Sequence, residues 1–311
     1  MAPKHKFAPS WNPLCSGASS SANITPFFVW FCDEKAKSNF FKNFSRRGIH
    51  FECQVILSDF SDTDLSTVIY SRGWGPLCDA PVTCPSVLIQ EFYSNMHGFD
   101  SLIPHFIICI RGTRIVVTPQ IIADVLRVPR VKFLDYPGCD CLRTVSKDEL
   151  ISAFCMRPSY WGEHQFTYCS GFAKGPWFLN MVMTFVLHPL SHYNSITEPR
   201  ARFLLSLIKG LTIDFPSRFI LSIMDIYRDT KTRDKLIFPS TITRLLRHFE
   251  VRFPSSNPFL VMDAIDAGIV KCSEVQFRSR QSGSTATLTP TPFTSVPSSS
   301  TSGVTLEDIM A

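Results

Sequence analysis

Three groups of residues in this chain have the chemistry of a catalytic or metal site, and spacing decides what each can do. Cys139-x-Cys141, followed by Cys155, His164 and Cys169, offers thiolates and an imidazole to a zinc ion. A CxC pair is a poor match to a tetrahedral site, where CxxC or HxxxH pairs are the rule, so ordinary buried or loop thiols are expected. His188 and His192 stand at i, i+4, but Pro189 between them ends any helix. They are expected at a helix terminus and in the loop after it, where a cationic imidazole suits the helix dipole. Asp59, Asp124, Asp135, Asp140 and Asp214 supply carboxylates for two-metal nuclease or transposase chemistry, which gathers such acids beside the strands of a central sheet. None follows a convincing buried strand, and Asp124 is expected on the solvent side of its helix. Gly73 and Gly75 lead into Pro76-Leu77 rather than a helix carrying Lys-Ser/Thr, so there is no phosphate loop, and no G-x-S-x-G elbow occurs. The expectation is a protein that is not an enzyme, with no catalytic residues, no metal ligands and no cofactor.

Binding is the remaining chemistry. The net charge of +5 is mild for 311 residues and falls short of a dedicated nucleic-acid-binding domain. Its distribution is uneven. From Glu198 to Arg252 eleven Lys/Arg stand against six Asp/Glu, so the whole excess lies there. Arg200, Arg202, Arg244, Arg247 and Arg252 are the candidate nucleic-acid-binding residues, and Arg244 with Arg247 share a helix face at i, i+3. The competing reading is a solvated polar face on core helices. It is favoured, because no aromatic-interleaved strand pair or Cys-His knuckle accompanies the arginines.

The elements that position these residues are mostly helical. Residues 105–129 are the best specified. Phe106–Ile110 and Arg114–Val117 flank Gly112 as a hairpin, Thr118 caps and Pro119 opens a helix, and Pro129 stops it. Ile121, Ile122, Val125 and Leu126 form that helix's apolar face. Asp33 caps a helix carrying Phe40, Phe41 and Phe44; Asp62–Ser71 is a helix stopped by Gly73; Pro85–Met96 follows. Ser146 and Glu149 have capping-box spacing. Residues 157–173 are expected as a loop pinned by Trp161 and Phe166. Pro176, Pro199, Pro216 and Pro239 each stand in the first turn of a later helix, the second of which carries Leu204, Leu205 and Ile208 inward ahead of Gly210. The fold class is therefore mainly α (α+β), a compact multi-helix domain with one small β-hairpin.

With 45% hydrophobic residues and 27 Phe, the chain can bury a large aromatic core. Eleven cysteines and a polar, proline-broken start point to free thiols in a reducing compartment, intracellular, nuclear or cytoplasmic rather than secreted. The longest strongly apolar run, Trp177 to Leu187, is about half of the ~20 residues a membrane span needs, so no membrane contact is expected. Residues 1–25 and 279–311 lack core-forming residues and are expected as a disordered lead and a disordered Ser/Thr/Pro-rich tail around one helical domain, 26–278.

Several short motifs follow one another in a family-like order. They are Arg72-Gly73-Trp74, Glu91-Phe92-Tyr93, Arg111-Gly112 leading to Thr118-Pro119, Trp161, Trp177 with Leu179, Pro189 with Ser191-His192, Arg200-Ala201, and Phe238-Pro239-Ser240-Thr241-Ile242-Thr243. From Phe27 to Val251 the succession resembles the plant transposon protein domain family, a module found in retrotransposon-derived polyproteins and solitary fragments of plant genomes. The resemblance implies origin in a mobile element and carries over no catalytic residues. The family pattern has an aromatic residue and a Ser before the helix-opening proline, where this chain has Val117-Thr118. Arg72, Gly73, Trp74, Arg111, Gly112, Thr118, Pro119, Phe238, Pro239 and Ser240 are read as scaffold positions.

The functional expectation is thus a transposable-element-derived, non-catalytic domain acting through nucleic acid or other element-encoded proteins, its oligomeric state open. The alternatives are a degenerate metal-dependent nuclease or transposase remnant and a capsid-like self-assembly module. No reverse transcriptase, integrase or protease segment is expected within this chain.

Overall fold

A computed structural model describes residues 30–253 except 84, 158, 164, 190–193 and 230–234, together with 264–266 and 268–269. The expected disordered lead and tail, His164 and His192 lie outside the described residues.

Helices begin where local capping chemistry sits. Asp33 accepts the Ala36 amide at 2.7 Å and starts α1 (Glu34–Asn39), which runs on as a π-helical turn through Phe44. α2 (Leu65–Tyr70) ends ahead of Gly73, whose φ of +66° is a conformation only glycine takes readily. α3 (Ser86–Ser94) follows Pro85. In α4 (Pro119–Leu126) the Thr118 hydroxyl accepts the Ile121 amide, and proline takes the first helical position. α6 (Lys147–Ser152) carries the complete capping box, with Ser146 and Glu149 bonding one another's backbone, just after the single turn α5 (Asp140–Arg143). The later helices are α7 (Lys174–Val182), extended by a π-helical turn to Leu187, then α8 (Glu198–Ile208), α9 (Phe215–Arg228) and α10 (Pro239–His248).

The β structure exceeds one hairpin. β2 (His105–Ile110) and β3 (Thr113–Val117) pair as expected, with Ile110 opposite Thr113 across a two-residue turn. β1 (Met96–Asp100) adds a third antiparallel strand on the far side of β2. Met-His-Gly-Phe-Asp has no alternating apolar pattern; its pairing comes from the chain turning straight out of α3 alongside β2. A second sheet joins β4 (Phe166–Tyr168) to β5 (Ser195–Thr197), so the stretch expected as loop contains a strand. Trp161 is buried there as expected, but Phe166 is 40% exposed and edge-on to Tyr168 instead of pinned to the core.

Two helix ends also differ from expectation. α4 does not run to Pro129. Arg127 adopts a left-handed conformation (φ 57°), and the Val128 amide folds back onto the Ala123 carbonyl. In α8, Ile208 is 40% exposed, while Ala201, Phe203, Leu204, Leu205 and Leu207 are buried, because this helix is covered by α5, α6, α7 and β5.

One hydrophobic cluster runs continuously from Phe44 to Ile265, and a small satellite of Phe31, Ala36 and Phe40 lies beside it. Aromatic rings fill it: Phe60 meets Phe178 edge-on at 5.0 Å, and Phe219 lies 4.6 Å from Phe238. Among the described residues no helix is long and apolar enough to cross a membrane.

Candidate nucleic-acid interface

The candidate arginines do not share one face. Arg200 is 3% exposed, and its guanidinium turns inward to the His188 carbonyl (2.6 Å) and the Thr184 hydroxyl (2.7 Å). Arg202 is half-buried. It donates to the Leu142 and Val145 carbonyls and, from Nε and Nη2, to Glu198 at 3.1 and 2.7 Å. Both are therefore withdrawn from the expected interface: neither can give those donors to a phosphate without uncapping a helix. The terminal carbonyls of a helix have no partner inside it, and a guanidinium supplies one along with favourable charge at the negative end of the dipole.

The same use recurs elsewhere. Arg72 donates to Val68 within its own turn and to Leu207 (3.0 Å) and Leu211 (3.3 Å) at the end of α8, while stacking 5.5 Å from Trp74. Arg47 donates to the Ile226 and Asp229 carbonyls at the end of α9. Arg200 and Arg202 of the basic stretch, with Arg47 and Arg72 from earlier in the chain, thus serve as internal donors to backbone carbonyls near helix ends.

Of the five candidates, those left outside are on and just beyond α10, while Lys209, Arg228 and Lys235 of the same basic stretch are exposed elsewhere. Arg247 and Arg252 are exposed, and the Arg247 guanidinium sits 5.5 Å from the ring of Phe253. Arg244 is half-buried and donates to the Ala80 carbonyl at 3.1 Å. It stands at the rim of a water-sized cavity of about 20 Å³ lined also by Glu52, Asp79, Ser240 and Thr241. Glu52 accepts from the Ser240 amide (2.5 Å) and from the Thr241 amide and hydroxyl (3.3 and 2.9 Å), so it occupies the positive N-terminus of α10. Burial pushes the Glu52 carboxyl up, against these hydrogen bonds and the nearby Arg244. An anion aimed at this helix start would meet a resident carboxylate.

The hairpin turn holds a residue whose role sequence reasoning missed. Arg111 and Gly112 both take positive φ (48° and 79°), the geometry of the tightest hairpin turns. For arginine that conformation is unfavourable. It aims the guanidinium at Glu91 on α3, in a bidentate pair at 2.9 and 2.8 Å with Glu91 fully buried. Burial raises the Glu91 carboxyl, and Arg111 counteracts the rise. Arg111 also lies 5.0 Å from the Trp30 ring and donates to the Arg252 carbonyl, tying α3, the hairpin and the chain after α10 together. The available signal was the pairing of Glu91 with Arg111 inside the motif series. Phe238 is another strained position: fully buried, it takes φ 58° directly before Pro239, while the Tyr93 hydroxyl donates to the Ile237 carbonyl.

The other candidates are separate. Cys139 and Cys141 form a disulfide with each other, a correction to the expectation of free thiols, while Cys155 and Cys169 are unbridged. Asp214 pairs with Arg130 at 2.9 Å, Asp135 accepts from Thr212, Asp140 pairs with Arg143, and Asp124 accepts from Gln120 on the exposed side of α4. Among the described residues no three His, Cys, Asp or Glu side chains gather into a metal-binding group. His188 ends the α7 extension as expected but not as a cation. Burial, then Arg218 and Arg200, hold it well below the usual histidine range, and its Nδ1 lies 3.2 Å from the Ser222 hydroxyl.

A family model for the plant retrotransposon-related domain matches residues 70–252, more than half of the chain. This chain belongs to that family. The match runs from the end of α2 to just beyond α10, taking in Arg72-Gly73-Trp74, the Arg111-Gly112 turn and Phe238-Pro239-Ser240, and starts later than the resemblance from Phe27 implied. No curated protein and no solved structure matches. The matched span thus takes in Arg72, which caps α8, near its start and ends at Arg252, whose carbonyl accepts from Arg111.

Proposed function

We propose that this retrotransposon-related domain is a non-catalytic module that contacts nucleic acid, or a protein encoded by the same element, through the end of α10. The observation that supports it is the exposed pair Arg247 and Arg252 with Phe253 under Arg247, a combination of backbone-neutralising charge and a ring on which a base can stack. Arg244 stands on the same helix with one donor committed to Ala80 and contributes less. The test is electrophoretic mobility shift with single- and double-stranded RNA and DNA across a salt series. Binding to single strands at low salt, weakened by Arg247→Ala plus Arg252→Ala, is expected. Absence of binding, or binding indifferent to both substitutions, sinks the nucleic-acid reading and leaves protein contact.

A further inference from the structure

The three-stranded sheet ends in an edge shaped to take another strand. β3 runs in unbroken register with β2, from Ile110 opposite Thr113 to Phe106 opposite Val117. Antiparallel ladders alternate between hydrogen-bonded and non-bonded pairs, and the pair that closes a two-residue turn is bonded. Thr113, Ile115 and Val117 therefore give their amides and carbonyls to β2, while Arg114 and Val116 present theirs outward. Among the described residues no strand lies beyond β3, and no loop backbone bonds to Arg114 or Val116. Both side chains are exposed, whereas Ile115 and Val117 are buried on the core face. Arg114 forms no ion pair with a carboxylate among the described residues. The opposite edge differs: β1 carries a register break between His97 and Asp100, which spoils it as a template. A regular open edge invites pairing unless it is covered or well charged, and β3 has only Arg114 to guard it.

We infer that this edge is covered by the chain's own segment 304–308, Val-Thr-Leu-Glu-Asp, which lies outside the described residues, added as a fourth antiparallel strand. One register fits. Glu307 stands opposite Arg114 and Thr305 opposite Val116, and these two pairs exchange the backbone hydrogen bonds of the new ladder. Leu306 and Val304 then stand beside Ile115 and Val117 and extend the apolar face, with Asp308 beside Thr113. Charge selects this segment. Residues 1–29 contain no acid, and after residue 269 the acids are Glu274, Glu307 and Asp308. Glu274 is flanked by Lys271, Arg278 and Arg280, which Arg114 repels. A second copy of β3 centred on Ile115 would instead set the two Arg114 side chains diagonally across the ladder, without an acid between them. Reach is ample: the 34 residues from 270 to 303 span up to about 110 Å when extended, against a radius of gyration of about 20 Å for a folded chain of this size.

The test is hydrogen exchange at the Arg114 and Val116 amides of the full chain, followed by NMR. Both are expected to be protected about tenfold or more over the same amides in Thr305→Pro, which removes the donor facing Val116. Glu307→Lys should speed exchange about two- to fivefold, the worth of a cross-strand ion pair, and adding Arg114→Glu to it should restore protection. Arg247→Ala plus Arg252→Ala should leave exchange unchanged, which separates this contact from the α10 surface. Rapid exchange at both amides in the unaltered chain overturns the inference and leaves Arg114 alone guarding the edge. Protection that Thr305→Pro and Glu307→Lys both leave intact overturns it as well; its dependence on protein concentration then assigns the edge to a second copy, and independence assigns it to another part of the chain.

Discussion

Helices α8 and α10 both carry a pair of closely spaced arginines, and in sequence the two pairs look interchangeable. Arg200 and Arg202 end as internal donors, while Arg247 faces solvent and Arg244 is only partly engaged. The difference follows from what covers each helix. α8 is enclosed by α5, α6, α7 and β5, so nearly every direction from it meets protein and its cations must find carbonyls. α10 packs on α3 and α4 with Pro239–Thr243 all buried, and it emerges only in its last turn, where Arg247 and His248 are exposed. Local charge density says how many cations a segment has; only coverage says which of them a partner can reach.

The first way to break this comparison is through the interior charge that has a carboxylate. Glu91→Ala strands a buried Arg111 and is expected to destabilise the fold by about 3–5 kcal/mol, read by urea unfolding. A loss below about 1 kcal/mol would mean that Arg111 escapes to solvent and the hairpin turn is not held by the pair. Next comes Arg200→Ala, which takes the donor from the His188 carbonyl and leaves the Thr184 hydroxyl only its bond to the Asn180 carbonyl, and should cost about 3 kcal/mol. An exposed-arginine response, within about 0.5 kcal/mol, would erase the distinction between the two helices.

The third prediction concerns pH. His50 is buried against Phe185, near Lys235 and Arg200, and burial first, then these charges, lower its pKa to about 4 from 6.5. The unfolded ring binds a proton near 6.5, whereas the folded ring resists until about 4. Its contribution to stability is therefore complete above the unfolded value, falls as pH drops between the two, and is flat below the folded one. The total fall is on the order of 3 kcal/mol. Unfolding midpoints from pH 7.5 to 4 should decline, and His50→Phe should flatten that decline; an unchanged slope would show that the α8 side of the core tolerates another cation. The smallest stability effect belongs to Arg247→Ala plus Arg252→Ala, within about 0.5 kcal/mol. The same pair should reduce the salt slope of nucleic-acid binding by about 2. A substantial stability loss would make these arginines structural too.

Local chemistry made much of the fold legible. Asp33, Thr118, and the Ser146–Glu149 box each act on an amide within three residues, so their roles can be read from adjacent letters. Gly73 and Gly112 take the positive φ their positions required. Other features carried no local sign. Nothing in Met96–Asp100 distinguishes a strand, and a left-handed Arg127 does the work assigned to Pro129. Ile208 fits an apolar face by spacing yet lies where α8 emerges from its cover. For the candidate interface, Arg247 and Arg252 were identifiable by charge, whereas Arg200 and Arg202 were indistinguishable from them until their partners were known.

By itself, then, the sequence determined the helical class, most helix starts, the hairpin at residues 105–117, the family and the size of the basic excess, because each depends on residue type and near neighbours. Tertiary structure alone decided where the chain's arginines point. Arg72 reaches the Leu207 carbonyl across 135 residues, and Arg111 reaches Glu91 across 20. A guanidinium has five donors and no acceptor, so its fate rests on whichever carbonyls and carboxylates the fold brings within about 3 Å, and those belong to distant parts of the chain.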